Sequence, residues 1–159
     1  MIVQIREEDG ERLRDVRLRA LEHDPAAFLE TYADASNFPE EHWRMRATPT
    51  ETQAAFAFER DGRFDGLVAC FVADDPGILF LVSMWVAPDL RGSDVARRLV
   101  ESVLGWARAR GAERVCLSVE GDNPRAARLY EKCGFLETFD PPPFPYEPNP
   151  GNRFYVYRL

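Results

Sequence analysis

The sequence predicts an α+β fold, in which a central mixed, mostly antiparallel sheet of six to seven strands is flanked by about four helices. Three features support this prediction. An Asp61-Gly62 pair between two apolar segments is typical of a tight hairpin. The segment from Ile78 to Val86 is apolar on both faces, as a central strand is. Val95 to Ala109 has the length and apolar spacing of a long helix.

The first third of the chain reads as one strand and two helices. Ile2 to Arg6 predicts a short strand, and Gly10 to His23 predicts an amphipathic helix. Ala26 to Asn37 is mixed in character and gives no clear element. Pro39 begins a second helix, PEEHWRMRA, because Pro at the first position and acids in the first turn favour a helix start.

The middle of the chain contains the predicted hairpin and two further buried elements. Gln53 to Glu59 and Phe64 to Ala73 form the antiparallel strands of the hairpin. The long helix that starts at Val95 ends at Arg110-Gly111, a basic last turn followed by a C-cap glycine. Val115 to Val119 then predicts another buried strand.

The last part of the chain predicts a capped helix and two strands. Pro124 to Lys132 forms the helix, with Asp122 or Asn123 as its cap. Phe135 to Thr138 and Phe154 to Leu159 follow as strands. The Pro-rich segment PPPFPYEPNPG between them excludes regular structure, and it serves either as a connector or as a lid over a substrate. Residues 1–159 fit a single domain of this size.

Composition excludes several classes of function. No apolar run approaches the roughly 18 residues of a membrane span, and MIVQIREEDGERL lacks the features of a signal peptide, so we expect a cytoplasmic protein. A net charge of -7 argues against a nucleic-acid partner. Cys70, Cys116 and Cys133 show no CxxC pairing, so neither a disulfide framework nor a metal site is expected.

The segment LVSMWVAPDLRGSDVA, Leu81 to Ala96, predicts a binding site for an anion. A buried strand runs through a Pro-containing turn into a loop that opens a helix. The first amides of a helix lack intrahelical partners and lie at the positive end of its dipole. A loop with Arg91, Gly92 and Ser93 at this position therefore suits a diphosphate.

A second block, NPRAARLYEKCGF, follows from Asn123 to Phe135, and the two blocks resemble motifs A and B of the GNAT superfamily of acyl-CoA-dependent N-acetyltransferases. Motif A reads Gln or Arg, two residues, Gly, one residue, then Gly or Ala. Here Arg91 begins that pattern and Ala96 ends it, but Asp94 occupies the position of the central glycine. We expect this carboxylate to act as a helix N-terminal acid that competes for the same positive field.

Motif B reads Asn-x-x-Ala-x-x-x-Tyr and ends in Gly-Phe. Asn123, Ala126 and Tyr130 match it, and Gly134-Phe135 supplies the ending. The resemblance implies a three-layer α/β/α fold and acetyl-CoA as cosubstrate. Its pantetheine arm would lie where the strand ending at Val86 and the next strand splay apart. The implied cofactor-binding residues are Met84, Trp85, Val86, Arg91, Gly92, Ser93, Asp94, Val95, Ala96, Arg97 and Asn123.

The resemblance also implies a reaction, the transfer of an acetyl group to a primary amine by direct attack in a ternary complex. Tyr130 matches the general acid that protonates the departing thiolate. Glu30 and Glu120 are the candidate bases, and Tyr32 is a candidate substrate contact. The expected partners are acetyl-CoA and an amine, and exposed edge strands are compatible with a homodimer.

The sequence also bears on two other functions. A noncatalytic acyl-CoA-binding or regulatory module retains the fold but has a cofactor loop weakened by Asp94. A dinucleotide-dependent oxidoreductase is disfavoured, because no GxGxxG follows a strand and an early hairpin interrupts any βαβ alternation.

Overall fold

The structure, a computed structural model, describes residues 1–159 and contains one seven-stranded sheet. The strand order is β1-β2-β3-β4-β5-β7-β6, and only the β4–β5 pair is parallel. The mixed, mostly antiparallel sheet predicted from the sequence is therefore confirmed. The strands are β1 Ile2–Gln4, β2 Gln53–Arg60, β3 Arg63–Val72, β4 Ile78–Val86, β5 Arg114–Val119, β6 Leu136–Thr138 and β7 Arg153–Arg158.

Five α-helices accompany the sheet, one more than the sequence indicated. They are α1 Gly10–His23, α2 Tyr32–Ser36, α3 Glu40–Ala47, α4 Val95–Ala109 and α5 Pro124–Lys132. The additional helix, α2, lies in the segment that the sequence left unassigned. Its cap is Thr31, whose side chain accepts a hydrogen bond from the Asp34 amide at 3.1 Å. Single-turn 3-10 helices occur at Glu7–Asp9, Pro25–Ala27 and Pro88–Leu90.

The first strand is shorter than the predicted Ile2 to Arg6. Ile5 still donates a hydrogen bond to the Ala55 carbonyl. The Arg6 amide instead donates to the Asp9 carboxylate at 2.9 Å, which turns the chain into the 3-10 helix before α1. A local side-chain acceptor thus ends the strand.

Helices cover both faces of the sheet, as in a three-layer α/β/α arrangement. On one face α1 and α3 pack on the first three strands around the fully buried Trp43. On the other face α4 contributes its apolar side, including Leu99, and α5 contributes Tyr130. A smaller cluster around Phe80 is covered by the Pro-rich segment, whose Phe144 ring lies 4.6 Å from that of Phe80.

The two parallel strands diverge soon after they meet. They pair only at Ile78 with Arg114, Leu79 with Val115 and Phe80 with Cys116. β4 then continues to Val86 without a partner on that side. Ser83 has a φ of 61°, and the β3–β4 register shifts beside it, so β4 carries a bulge that turns it away from β5. The backbone along this edge is available to a ligand.

The thiols are buried or partly buried, and none forms a disulfide. Cys70 and Cys116 are buried, and Cys133 is half-buried. Burial raises the pKa of Cys70 to about 12, so this thiol is unreactive at neutral pH. None of the five helices is both long enough and apolar enough to cross a bilayer.

Candidate active site

The loop between β4 and α4 presents backbone N–H groups that have no acceptor in the protein. The amides of Gly92, Asp94, Ala96 and Arg97 donate to no backbone or side-chain group. Gly92 has a φ of 83°, a left-handed conformation that glycine adopts without steric cost. These donors lie at the positive end of the α4 dipole, where a negative charge is stabilised.

Ser93 and Asp94 occupy the turn without using these donors. The Ser93 hydroxyl donates to the Leu90 carbonyl at 2.5 Å and accepts weakly from the Val95 amide at 3.3 Å. The Asp94 carboxylate caps no amide. Its side chain is 58% exposed and lies 3.7 Å from the Arg97 guanidinium. Asp94 therefore stands at the N-cap of α4, and its carboxylate leaves the four N–H groups open.

A groove of about 560 Å³ begins at this loop and runs along the end of β4. Met84, Trp85 and Val86 form one side of it. Helix α5 forms the other side, and its cap is Asn123, whose side-chain oxygen accepts from the Ala126 amide at 3.1 Å. The groove thus joins the two sequence blocks in one elongated site.

Cations on α5 line the groove without carboxylate partners. Arg125, Arg128 and Lys132 face it and form no ion pair within 4.0 Å. Arg97, one of the cofactor-binding residues that the resemblance implies, is instead paired with Glu101 at 2.6 Å. The three unpaired charges on α5 are better placed than Arg97 to attract the phosphates of a ligand.

Asp24 ties the anion loop to the strand and to α1. Its Oδ2 accepts from the Trp85 indole at 2.8 Å and from Arg91 at 2.6 Å. Arg91 also donates to the Val86 carbonyl at 3.3 Å. Although burial raises the pKa of Asp24, the bonds from Trp85 and Arg91 and the nearby positive charges outweigh it, so the pKa lies below its usual value. Arg91 thus positions the loop through Asp24.

Tyr130 projects from α5 into the groove near the end of β4. The residue is 5% exposed, and its ring packs edge-on against Phe135. Burial raises the pKa of Tyr130 above its ordinary value of 10.0, with a smaller contribution from Cys133. The hydroxyl forms no hydrogen bond within the protein, so its proton is free for another acceptor. This is the state that a general acid requires.

A second cavity of about 370 Å³ opens on the other side of the strand gap. Ser83 and Ser118 lie on its two facing strands, and Ala27 lines both this cavity and the groove. The Pro-rich segment contributes Tyr146, Pro148 and Asn152 to the wall. The two cavities therefore adjoin each other, since the consecutive β4 residues Ser83 and Met84 line one each.

The two candidate bases both line this second cavity. Glu120 accepts from the Asn149 side chain at 2.9 Å, and the Asn152 amide, with its nitrogen toward Glu120, donates at 3.1 Å. Glu30 is held by Arg17 at 2.9 Å and Arg46 at 3.3 Å. Burial raises the pKa of Glu30, but the two arginines outweigh it and lower the pKa overall. This lowered pKa makes Glu30 less able to accept a proton.

Most of the predicted site residues line one of the two cavities, but two do not. Val95 is buried in the core under α4, and Tyr32 is 46% exposed at the start of α2. Sequence reasoning did not select Asp24 or Arg17, both of which line the site. For Arg17 a signal existed, because it lies four residues from both Leu13 and Leu21 on the buried face of α1.

Both the sequence and the fold are similar to those of known proteins. A family model described as the acetyltransferase (GNAT) family matches residues 17–135. The mycothiol acetyltransferase of Propionibacterium freudenreichii is 31% identical over 132 residues, which cover 82% of this chain and 41% of that protein. The chain spans less than half the length of the mycothiol acetyltransferases that it matches.

Solved structures share the fold across the whole chain. A GNAT-family acetyltransferase from Streptococcus pneumoniae has a TM-score of 0.78 at 18% identity, covering 100% of this chain and 99% of its own. The PaiA N-acetyltransferase of Thermoplasma acidophilum, in complex with coenzyme A, has a TM-score of 0.74 at 13% identity over 100% and 98% of the two chains. The fold is thus that of a GNAT acetyltransferase. The chain belongs to the GNAT acetyltransferase family, as its two motifs suggested.

Asp24→Asn is expected to remove an acid-sensitive part of the stability. Folding lowers the pKa of Asp24 from the value near 3.8 that it has in the unfolded chain. The ionised carboxylate therefore stabilises the fold at pH values above 3.8, and this stabilisation is lost as the pH falls through the pKa of the folded protein. The variant should unfold at lower urea than wild type at pH 7, and the difference should shrink below about pH 4. Asp74→Asn, an exposed acid without an ion pair, is the control. A difference that stays constant down to pH 2 would contradict this role for Asp24.

Proposed function

We propose that this protein is an N-acetyltransferase that moves an acetyl group from acetyl-CoA to a primary amine by direct attack in a ternary complex. The observation that carries this proposal is the pair of adjoining cavities along the part of β4 that has separated from β5. Two neighbouring sites allow direct transfer, because neither substrate needs to leave before the other binds. We infer a primary amine as acceptor from the family, whose members act on amines.

The groove residues fit the cosubstrate acetyl-CoA. The four unpaired amides suit its pyrophosphate, and Arg125, Arg128 and Lys132 suit its phosphate charges. The unpaired edge of β4 from Met84 to Val86 suits the amides of the pantetheine arm, as in strand addition. An N–H of this edge that points at the thioester oxygen also stabilises the oxyanion formed during attack.

Two side chains supply the proton transfers. Glu120 accepts a proton from the ammonium group of the acceptor, directly or through a water, so that the amine nitrogen can attack the acetyl carbon. As the carbon–sulfur bond breaks, Tyr130 donates its proton to the departing sulfur. The acylated nitrogen releases its second proton, which returns to the Tyr130 oxygen through solvent. The products are an N-acetylated amine and coenzyme A. The protein itself forms no covalent bond to the acetyl group in this scheme.

Capture of the cosubstrate tests the first half of the proposal. Isothermal titration should show that acetyl-CoA binds the wild type, since the Asp94 carboxylate leaves the loop amides free. Asp94→Gly should tighten binding by roughly 2- to 5-fold, because it removes a negative charge beside the phosphates. Asp74→Gly, an exposed acid in the turn before β4, is the control and should have no effect. If neither wild type nor Asp94→Gly binds, the enzyme proposal is wrong.

Tyr130→Phe tests the general acid. Release of the coenzyme A thiol over a panel of amines should fall by about 100-fold or more in kcat, with the acetyl-CoA Kd unchanged, because the ring stays and only the proton donor is lost. Tyr157→Phe is the matched control, since that hydroxyl bonds Arg108 on the surface. Binding without turnover by the wild type for every amine would favour the noncatalytic acyl-CoA module instead.

Glu120→Gln distinguishes the two candidate bases. We expect kcat/KM at pH 7 to fall by about 100-fold and to recover in part toward pH 10, where the amine loses its proton unaided. Glu147→Gln, an exposed acid of the same Pro-rich wall, should behave as wild type. A pH profile of Glu120→Gln that runs parallel to that of the wild type would assign the base elsewhere.

A further inference from the structure

Arg17 is a buried cation in the wall of the second cavity. Its side chain is 6% exposed, yet its Nη1 has no hydrogen-bond partner. The Nε is occupied, because it donates to Glu30 at 2.9 Å. The Phe28 ring lies 4.5 Å from the guanidinium carbon, but stacking on a ring does not satisfy N–H groups that lie in the guanidinium plane. Unsatisfied buried donors are rare in folded proteins, so this one indicates an acceptor supplied by a ligand.

The charge around Arg17 points to an anionic acceptor group. Glu30 is shared between Arg17 and Arg46, and the Arg46 guanidinium lies 3.3 Å from both of its oxygens. One carboxylate cannot neutralise two guanidinium groups, so this cluster, of which Arg17 is the most buried member, retains one positive charge. A buried charge is costly unless it is paired, which favours a bound anion.

The cavity has the opposite charge at the end of β5. Glu120 lies there, and the hydroxyls of Ser83 and Ser118 line the gap. The volume of about 370 Å³ suits a small molecule. The rest of the lining is largely apolar, with Phe28, Leu29, Phe71, Leu81, Val82 and Tyr146. Such a lining suits a molecule with a positive group, a negative group and an apolar side chain.

We propose, building on the function above, that the acceptor is a small amine that also carries a carboxylate, the α-amino acids with apolar side chains being the simplest case. Arg17 binds the carboxylate through Nη1, and the amine faces Glu120 at the strand gap. Phe28 lies in the irregular stretch between Pro25–Ala27 and α2, so rotation of its ring admits the carboxylate.

Turnover of matched amine pairs tests this specificity in the wild type. L-phenylalanine is compared with phenethylamine, and L-leucine with 3-methylbutylamine, in the thiol-release assay. The amino acid should exceed its decarboxylated partner in kcat/KM by about 100-fold or more, since a site built for a polar group rejects the analogue that lacks it. Equal turnover of both members by the wild type would overturn the carboxylate subsite and leave the N-acetyltransferase proposal intact.

Variants of Arg17 connect that preference to one side chain. In Arg17→Gln the ratio of kcat/KM for the amino acid to that for its decarboxylated partner should fall close to 1, because turnover of the amino acid is lost. Arg17→Lys keeps the charge but not the planar guanidinium group, so it should give an intermediate ratio. Arg14→Gln, an exposed arginine on the same helix, is the control. An unchanged ratio in Arg17→Gln would show that Arg17 is a structural residue only.

Thermal unfolding with coenzyme A bound separates this inference from the transferase activity. Amino acids should raise the Tm of wild type but not that of Arg17→Gln. Their decarboxylated analogues should raise the Tm of either protein by less than the amino acids raise that of wild type. If no amine releases thiol but this pattern of Tm shifts is seen, the subsite stands and the transferase proposal fails. If Arg17→Gln does not fold, the test is made with wild type and Arg17→Lys, by comparing their turnover of the paired amines and their Tm shifts.

Discussion

The site depends on the separation of β4 from β5. Three residue pairs hold the two strands together at one end, and beyond Phe80 and Cys116 they diverge. The left-handed Ser83 costs about 1–3 kcal/mol as strain, which the surrounding packing must offset. That packing comes from Trp85 and Val86, which are buried in cores on opposite faces of the sheet. Without the divergence β5 would satisfy the edge of β4, and neither the groove nor the second cavity would exist.

Charge is distributed so that an acidic chain presents a cationic groove. Most arginines near the site are already neutralised, as Arg91 is by Asp24 and Arg97 is by Glu101. Exposed ion pairs of this kind add little stability, so their main effect is on which charges stay free. The unpaired cations that line the groove are those on α5, while the chain as a whole carries a net charge of -7. This arrangement steers anions to the groove and cations elsewhere.

The strands and long helices were predictable, because each is encoded by its own periodicity and caps. The hairpin at Asp61-Gly62 and the ends of α4 are of this kind. Helix α2 was not predictable, since five residues held by one Thr31 cap leave no periodic signal. The two motifs predicted the residues that line the groove. The orientation of the Asp94 side chain depends on its contact with Arg97, and that contact is seen only in the folded structure. The pairing of Arg17 with Glu30 likewise joins α1 to a segment of irregular structure, and no local pattern encodes it.

The Pro-rich segment is part of the site rather than a connector beside it. Phe144 anchors the segment on Phe80, and its far end is seated against the turn after β5, where any side chain at Gly121 would collide with the Gly151 carbonyl. Glu120 precedes that turn directly and accepts from the Asn149 amide. A proline-rich chain loses little entropy on ordering, so it holds a carboxylate in place at low cost. The same prolines that exclude regular structure therefore stiffen the wall that holds the Glu120 carboxylate.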